Sequence, residues 1–127
     1  MVYSEALRNR FLSPTFAGDI PFPDGAGMEG NVTCGDVVSL ALKVEGGLIA
    51  DARFRAQGCA TAIAAADAVC ELVTGGSLAA AEVLDAGQLW ELLDGIPEEK
   101  RNCAAIVLGA LRQAVEQARS ASLAAGS

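Results

Sequence analysis

The stretch Asp36-Val-Val-Ser-Leu-Ala-Leu-Lys-Val-Glu45, then Gly46-Gly47, then Leu48-Ile-Ala-Asp-Ala-Arg-Phe-Arg55 decides the fold. Val38, Leu40, Leu42 and Val44 alternate with Ser39, Ala41 and Lys43, the period of a strand with one face in a core. Glu45-Gly-Gly47 then turns the chain, so the stretch reads as an antiparallel hairpin. Just ahead of it, Gly30-Asn-Val-Thr-Cys-Gly-Asp36 holds a thiol and a carboxylate two residues apart. If the strand opens there, Cys34 and Asp36 share a face.

Beyond Gly58 the period becomes helical. Ala62, Ile63, Ala66, Val69, Cys70 and Val73 form one stripe, and Thr74-Gly-Gly76 stops it, which places Cys59 at a helix N-terminus. Ser77 is an N-cap for a short helix over Leu78 to Leu84 with Glu82 near its capping-box position, and Leu89 to Leu93 continues helical character as far as Asp94-Gly95. Pro97-Glu98-Glu99 opens a last helix that runs to about Arg119. The tail from Ala121 to Ser127 is expected to be frayed and disordered. Upstream, Val2, Tyr3, Ala6, Leu7 and Phe11 predict a short docking helix to Leu12. Ser13 to Gly30, with three of the four prolines and four glycines, reads as a loop.

Length and charge limit what this chain does. At 127 residues it is expected to be one domain, 1–127, that buries roughly two-thirds of its unfolded surface and needs neither metal nor disulfides to fold. Sixteen acidic against nine basic residues give a formal charge of −7, which argues against nucleic acid or an anionic membrane as partner. Basic proteins and small ligands are the expected partners. Four cysteines could pair into two disulfides, but Met1-Val-Tyr-Ser-Glu5 lacks the apolar stretch of a secretory segment, so a reducing cytoplasm is expected. No apolar run approaches the roughly 18 residues that cross a bilayer.

The cysteines separate by geometry. Cys59 and Cys70 stand about three helical turns apart, roughly 16 Å of rise, too far to share a metal. Cys70, on an apolar stripe, is read as a core residue. Cys59 lies where helix N–H groups favour a thiolate. Cys103 follows a Pro-bearing junction but also sits on a stripe with Val107, Ala110, Ala114 and Ala118, so a packing role and a chemical one both stand. Beside Cys34, Gly35 lets the backbone bend and Asp36 adds a hard oxygen donor. A folded chain that brings Cys34, Asp36, Cys59 and Cys103 together would hold four negative charges. Protons, Zn²⁺ or Fe²⁺ would neutralise them, helped by Lys100 and Arg101.

Cys34-Gly-Asp36, Ala52-Arg-Phe54, Gln57-Gly-Cys59-Ala-Thr-Ala-Ile63 and Pro97-Glu-Glu-Lys100-Arg-Asn-Cys103-Ala104 resemble the NifU/IscU-type iron–sulfur cluster assembly scaffolds, in the family's order and from about Tyr3 to Arg119. The resemblance implies an α+β sandwich of the SufE/NifU-like kind, with a small antiparallel sheet of about three strands packed on helices. It implies a scaffold and sulfur-transfer protein rather than an enzyme. A cysteine desulfurase passes persulfide sulfur to a scaffold cysteine, an iron donor supplies iron, and a transient [2Fe–2S] cluster goes on to apo acceptor proteins. Carried over, Cys34, Cys59 and Cys103 are cluster or metal ligands, with Cys103 the candidate persulfide acceptor. Asp36 is the fourth ligand or the carboxylate that tunes lability, and Lys100 is the family's basic residue three before the last cysteine.

Asn102 stands where the usual scaffolds have His, and the chain has no histidine. That removes a soft-metal ligand and a proton carrier, and makes Asp36 the expected fourth ligand. The set then resembles SufU-type proteins, which hold zinc while accepting sulfur. The alternative is therefore a zinc-binding sulfur acceptor or a structural zinc interaction module, with zinc in the isolated protein. The short spacing from Cys34 to Cys59 is nonetheless that of IscU and NifU. Ile96-Pro-Glu-Glu-Lys100 replaces the Leu-Pro-Pro-Val-Lys segment read by a dedicated Hsp70 chaperone, so that partnership is doubtful and NifU-like chains are closer. A homodimer is left open.

Overall fold

The computed structural model of the chain describes residues 3–31 and 35–126. Two strands, β2 (Asp36–Glu45) and β3 (Leu48–Gln57), form the expected hairpin, with Leu40 opposite Phe54 and Leu42 opposite Ala52. Gly46 and Gly47 make a two-residue turn with φ +60° and +79°, the pair of positive values that suits strand twist. The register shifts between Lys43 and Val44. That irregularity lets Ile49 and, three residues later, Ala52 both face the core, which an unbroken period of two forbids.

A third strand, β1 (Gly25–Asn31), pairs antiparallel with β2 in the order β1-β2-β3, where the sequence predicts loop. Its glycines are the reason. A Cβ on Gly25 would lie 2.0 Å from the Ala114 carbonyl oxygen, and one on Gly27 2.1 Å from that of Ala110. The glycines therefore admit the backbone of a helix, α5 (Arg101–Gly126), directly against the strand. Along the outer edge of β1, Gln117 accepts the Ala26 N–H at 2.6 Å and Gln113 that of Met28 at 3.1 Å. The same helix thus closes an edge that would otherwise template strand pairing.

Among the described residues four further helices complete the α+β arrangement: α1 (Glu5–Leu12), α2 (Ala60–Val73), α3 (Leu78–Glu82) and α4 (Ala86–Leu92). α2 and α5 pack against the sheet, and Leu40, Leu42, Phe54, Val69, Val107 and Leu111 belong to one buried cluster. Ser77 caps α3 as expected, through the Ala80 N–H. The capping box, however, belongs to Asp85 and Gln88 of α4 rather than to Glu82. Pro97 precedes a 3-10 turn (Glu98–Lys100), and α5 keeps helical backbone to Gly126, well past Arg119 and through most of the tail expected to fray. Among the described residues no helix is long and apolar enough to cross a membrane.

The docking of α1 departs from its apolar stripe. Leu7 is buried but Phe11 is 39% exposed, and Val2 lies outside the described residues. An ion pair adds to the hold of the buried Leu7. Arg10 donates to Asp67 at 2.9 Å and to Glu71 at 2.8 Å, while the other oxygen of the buried Asp67 accepts the Phe16 N–H at 2.7 Å. Removing one partner of such a pair leaves a charge without compensation. Arg10→Met is therefore expected to lower unfolding free energy by about 3 kcal/mol in urea titration, whereas an exposed pair would give under about 1.

Cys70 is fully buried on α2, as its stripe predicts, and burial pushes its thiol well above the ordinary range. The unfolded thiol ionises near pH 8.5 while the folded one does not, so the unfolded state binds fewer protons above that pH and stability falls as pH rises. We expect Cys70→Ala to lessen that decline by about 1.4 kcal/mol per pH unit between pH 9 and 11, read by denaturant titration at each pH.

Candidate functional site

Asp36, Cys59 and Cys103 are 67 residues apart at the extremes and meet at one end of the sheet. Asp36 is the first residue of β2 and is 2% exposed. Because Val37 pairs with Gln57, the next position on β3's side is Gly58, directly beside Asp36. Cys59 follows as the N-cap of α2, half-buried, and Cys103 stands buried in the first turn of α5.

The Asp36 carboxylate ties the three together. Its Oδ1 accepts the Cys59 N–H at 2.9 Å, and its Oδ2 lies 3.3 Å from Cys103 Sγ and 3.7 Å from Cys59 Sγ. The two sulfurs are 3.4 Å apart. One ligand atom from each residue falls within 4.8 Å of the others, so two soft donors and one hard donor can reach a single ion. Burial, the hydrogen bonds the thiol donates to Asp36 and shares with Cys59, and the negative charge of both neighbours together push the Cys103 thiol well up. A cation arriving there replaces protons.

Cys34, the remaining member of the expected set, lies outside the described residues. The strand starts at Asp36, and Gly35 ahead of it, with φ +73°, is a turn residue. Lys100, in the 3-10 turn, has its ammonium pKa raised, first by the charge of Cys59 and then, against some desolvation, by Tyr3, Cys103 and Asp36. Arg101 lies over the Trp90 ring at 4.5 Å. Asn102 is exposed.

Gly58, legible in the sequence only as the glycine ahead of Cys59, is also required by the Asp36 carboxylate. Its φ is +143°, and a Cβ there would sit 2.0 Å from Asp36 Oδ1. The signal was a glycine joining a strand to a helix one residue before a candidate ligand. Gly58→Ala is expected to displace the carboxylate and weaken metal binding about tenfold, with a smaller loss of fold stability. Titration with Zn²⁺ against a chromophoric chelator reads the first, and thermal unfolding the second.

Residues 2–124 match the family model described as the NifU-like N terminal domain. The chain is 36% identical over 124 residues to the iron-sulfur cluster assembly scaffold protein IscU of Escherichia coli, covering 94% of this chain and 96% of that protein. It is 33% identical over 114 residues to the scaffold protein IscU 1 of Archaeoglobus fulgidus, covering 90% and 74%. It is 38% identical over 116 residues to the bifunctional protein NifU/MnmA of Rubrobacter xylanophilus, covering 90% of this chain and 24% of that one. In fold it is similar to the N-terminal part of a nitrogen-fixing NifU-like protein from Brucella abortus, with a TM-score of 0.74 at 16% identity over 92% and 94% of the two chains. A SUF-system scaffold protein from Fervidobacterium islandicum gives 0.71 at 22% over 89% and 96%.

Proposed function

The chain belongs to the NifU-like N-terminal domain family, and from that premise we propose that it is a scaffold on which iron–sulfur clusters are assembled. It accepts persulfide sulfur from a cysteine desulfurase, takes iron from a donor and passes a [2Fe–2S] cluster to apo acceptor proteins. The observation that carries this reading is the convergence of Asp36, Cys59 and Cys103 within 4.8 Å at a site where Cys59 is only partly buried. Core packing alone gives no reason to bury a carboxylate against two thiols.

Each residue has a task that follows from its chemistry. Cys59 and Cys103, joined by Cys34, are the thiolate ligands, and Cys103 carries the delivered sulfur. Asp36 is the oxygen ligand, which holds iron less firmly than sulfur does and so permits release. It also fixes the start of α2 through the Cys59 N–H. Lys100 offsets negative charge near Cys59, and Asn102 leaves the site without the histidine ligand of other scaffolds. The residues act by holding and releasing cargo, with no substrate turned over.

Anaerobic incubation with ferrous iron, cysteine and a cysteine desulfurase tests this. Visible absorbance with iron and sulfide in equal amounts on the chain is expected. Retained zinc, with no sulfur added to any cysteine, would instead make the site a zinc-holding interaction module.

A further inference from the structure

We propose that Cys59 and Cys103 form a two-electron couple that turns delivered sulfur into sulfide: a persulfide on one is opened by the thiol of the other, 3.4 Å away, leaving a Cys59–Cys103 disulfide. The proposal rests on the sulfur-acceptor reading above and adds the source of the electrons. Persulfide sulfur is sulfane sulfur, whereas a cluster contains sulfide. Two electrons must be supplied in between.

The geometry selects the outcome. A thiolate that attacks the outer sulfur of a persulfide only moves the sulfane atom along, while attack on the inner sulfur expels hydrosulfide. The contact in this fold is between the two Sγ atoms, so with sulfur carried on Cys103 the inner atom is the one already facing Cys59. Asp36 Oδ2, 3.7 Å from Cys59 Sγ, can take the attacking thiol's proton and return it to the leaving group. In balance, the Cys103 persulfide and the Cys59 thiol give the disulfide and hydrogen sulfide. The S–S bond forms, the Cys103 Sγ to sulfane bond breaks, and both electrons go to the departing sulfur. Carriage on Cys59 gives the same products. An external dithiol then reduces the disulfide.

Closing the sulfurs to about 2.05 Å needs movement on one side only. Rotation of the Cys59 side chain about its Cα–Cβ bond can supply it, while the backbone stays tied to Asp36 through the Cys59 N–H. Cys70 cannot compete, buried farther along α2.

The test uses the full chain, stripped of metal and incubated anaerobically with a cysteine desulfurase and cysteine but no iron or reductant. Intact mass and trapped sulfide are read. We expect the chain to lose two hydrogens, peptide mapping to join Cys59 to Cys103, and sulfide to appear in equal amount. Cys59→Ser should stop with one extra sulfur atom on Cys103 and release at least tenfold less sulfide. A wild-type persulfide that persists without a disulfide, or a disulfide that involves Cys34, overturns the proposal while leaving sulfur acceptance intact. If neither chain ever gains sulfur, acceptance itself fails and the proposal with it. An independent arm runs the step backwards. The wild-type chain oxidised with diamide should form the same disulfide and, on addition of sodium sulfide, regain a persulfide; failure to form that disulfide also overturns the proposal.

Discussion

Cargo assembled on the Asp36→Ala chain should outlast that on the wild type by roughly tenfold, equivalent to about 1.4 kcal/mol. Carboxylate oxygen is a hard donor and holds iron less well than thiolate, so its removal leaves a set dominated by sulfur. It also takes one negative charge from a place where Cys103 is already disfavoured as an anion by burial and by its neighbours. The Cys59 N–H loses its acceptor, which costs about 1 to 3 kcal/mol of fold stability. Longer-lived cargo on a weaker fold is therefore the signature of a lability-tuning carboxylate. Decay of visible absorbance after a chelator is added measures the lifetime, and faster decay in the variant would make Asp36 an anchor instead.

Gly27→Ala is expected to cost the fold about 3 kcal/mol, which for a chain of this size lowers Tm by roughly 10 °C. The added Cβ would lie 2.1 Å from the Ala110 carbonyl oxygen and 2.8 Å from the Ala114 backbone nitrogen, and neither can step aside without α5 leaving the sheet. Displacing α5 also moves Cys103 away from Asp36, so metal affinity should fall together with Tm. Gly46→Ala is a useful contrast. Its φ of +60° is strained for alanine, but nothing lies within 4 Å of the new Cβ, so only the turn suffers. Thermal unfolding followed by circular dichroism separates the two, and an unchanged Tm for Gly27→Ala would remove the helix-on-strand explanation for β1.

What could be read in advance depended on whether a residue's reason was local. The β2–β3 hairpin and the stripe of α2 were legible because alternation and helical period are carried by neighbouring side chains. β1 was hidden because Gly25 and Gly27 answer to a helix some ninety residues later, and in isolation they lower strand propensity. The three-strand sheet came only from family resemblance. Asp67 sits in an alanine-rich run with nothing local to explain it, because its partners Arg10 and Phe16 lie more than fifty residues away. Cys103 was ambiguous for a sound reason: it lies on the buried stripe of α5 and faces Asp36, so packing and chemistry share one position. Gly58 showed its need for a positive φ only once Asp36 stood beside it.

X-ray absorption at the zinc edge of the chain loaded with one Zn²⁺ as a probe is the most direct test that Asp36, Cys59 and Cys103 act on one ion. The account predicts a four-coordinate shell dominated by sulfur at about 2.3 Å with one oxygen near about 2.0 Å, the oxygen lost in Asp36→Ala. A shell of oxygens alone, drawn from carboxylates elsewhere on this acidic chain, would contradict it.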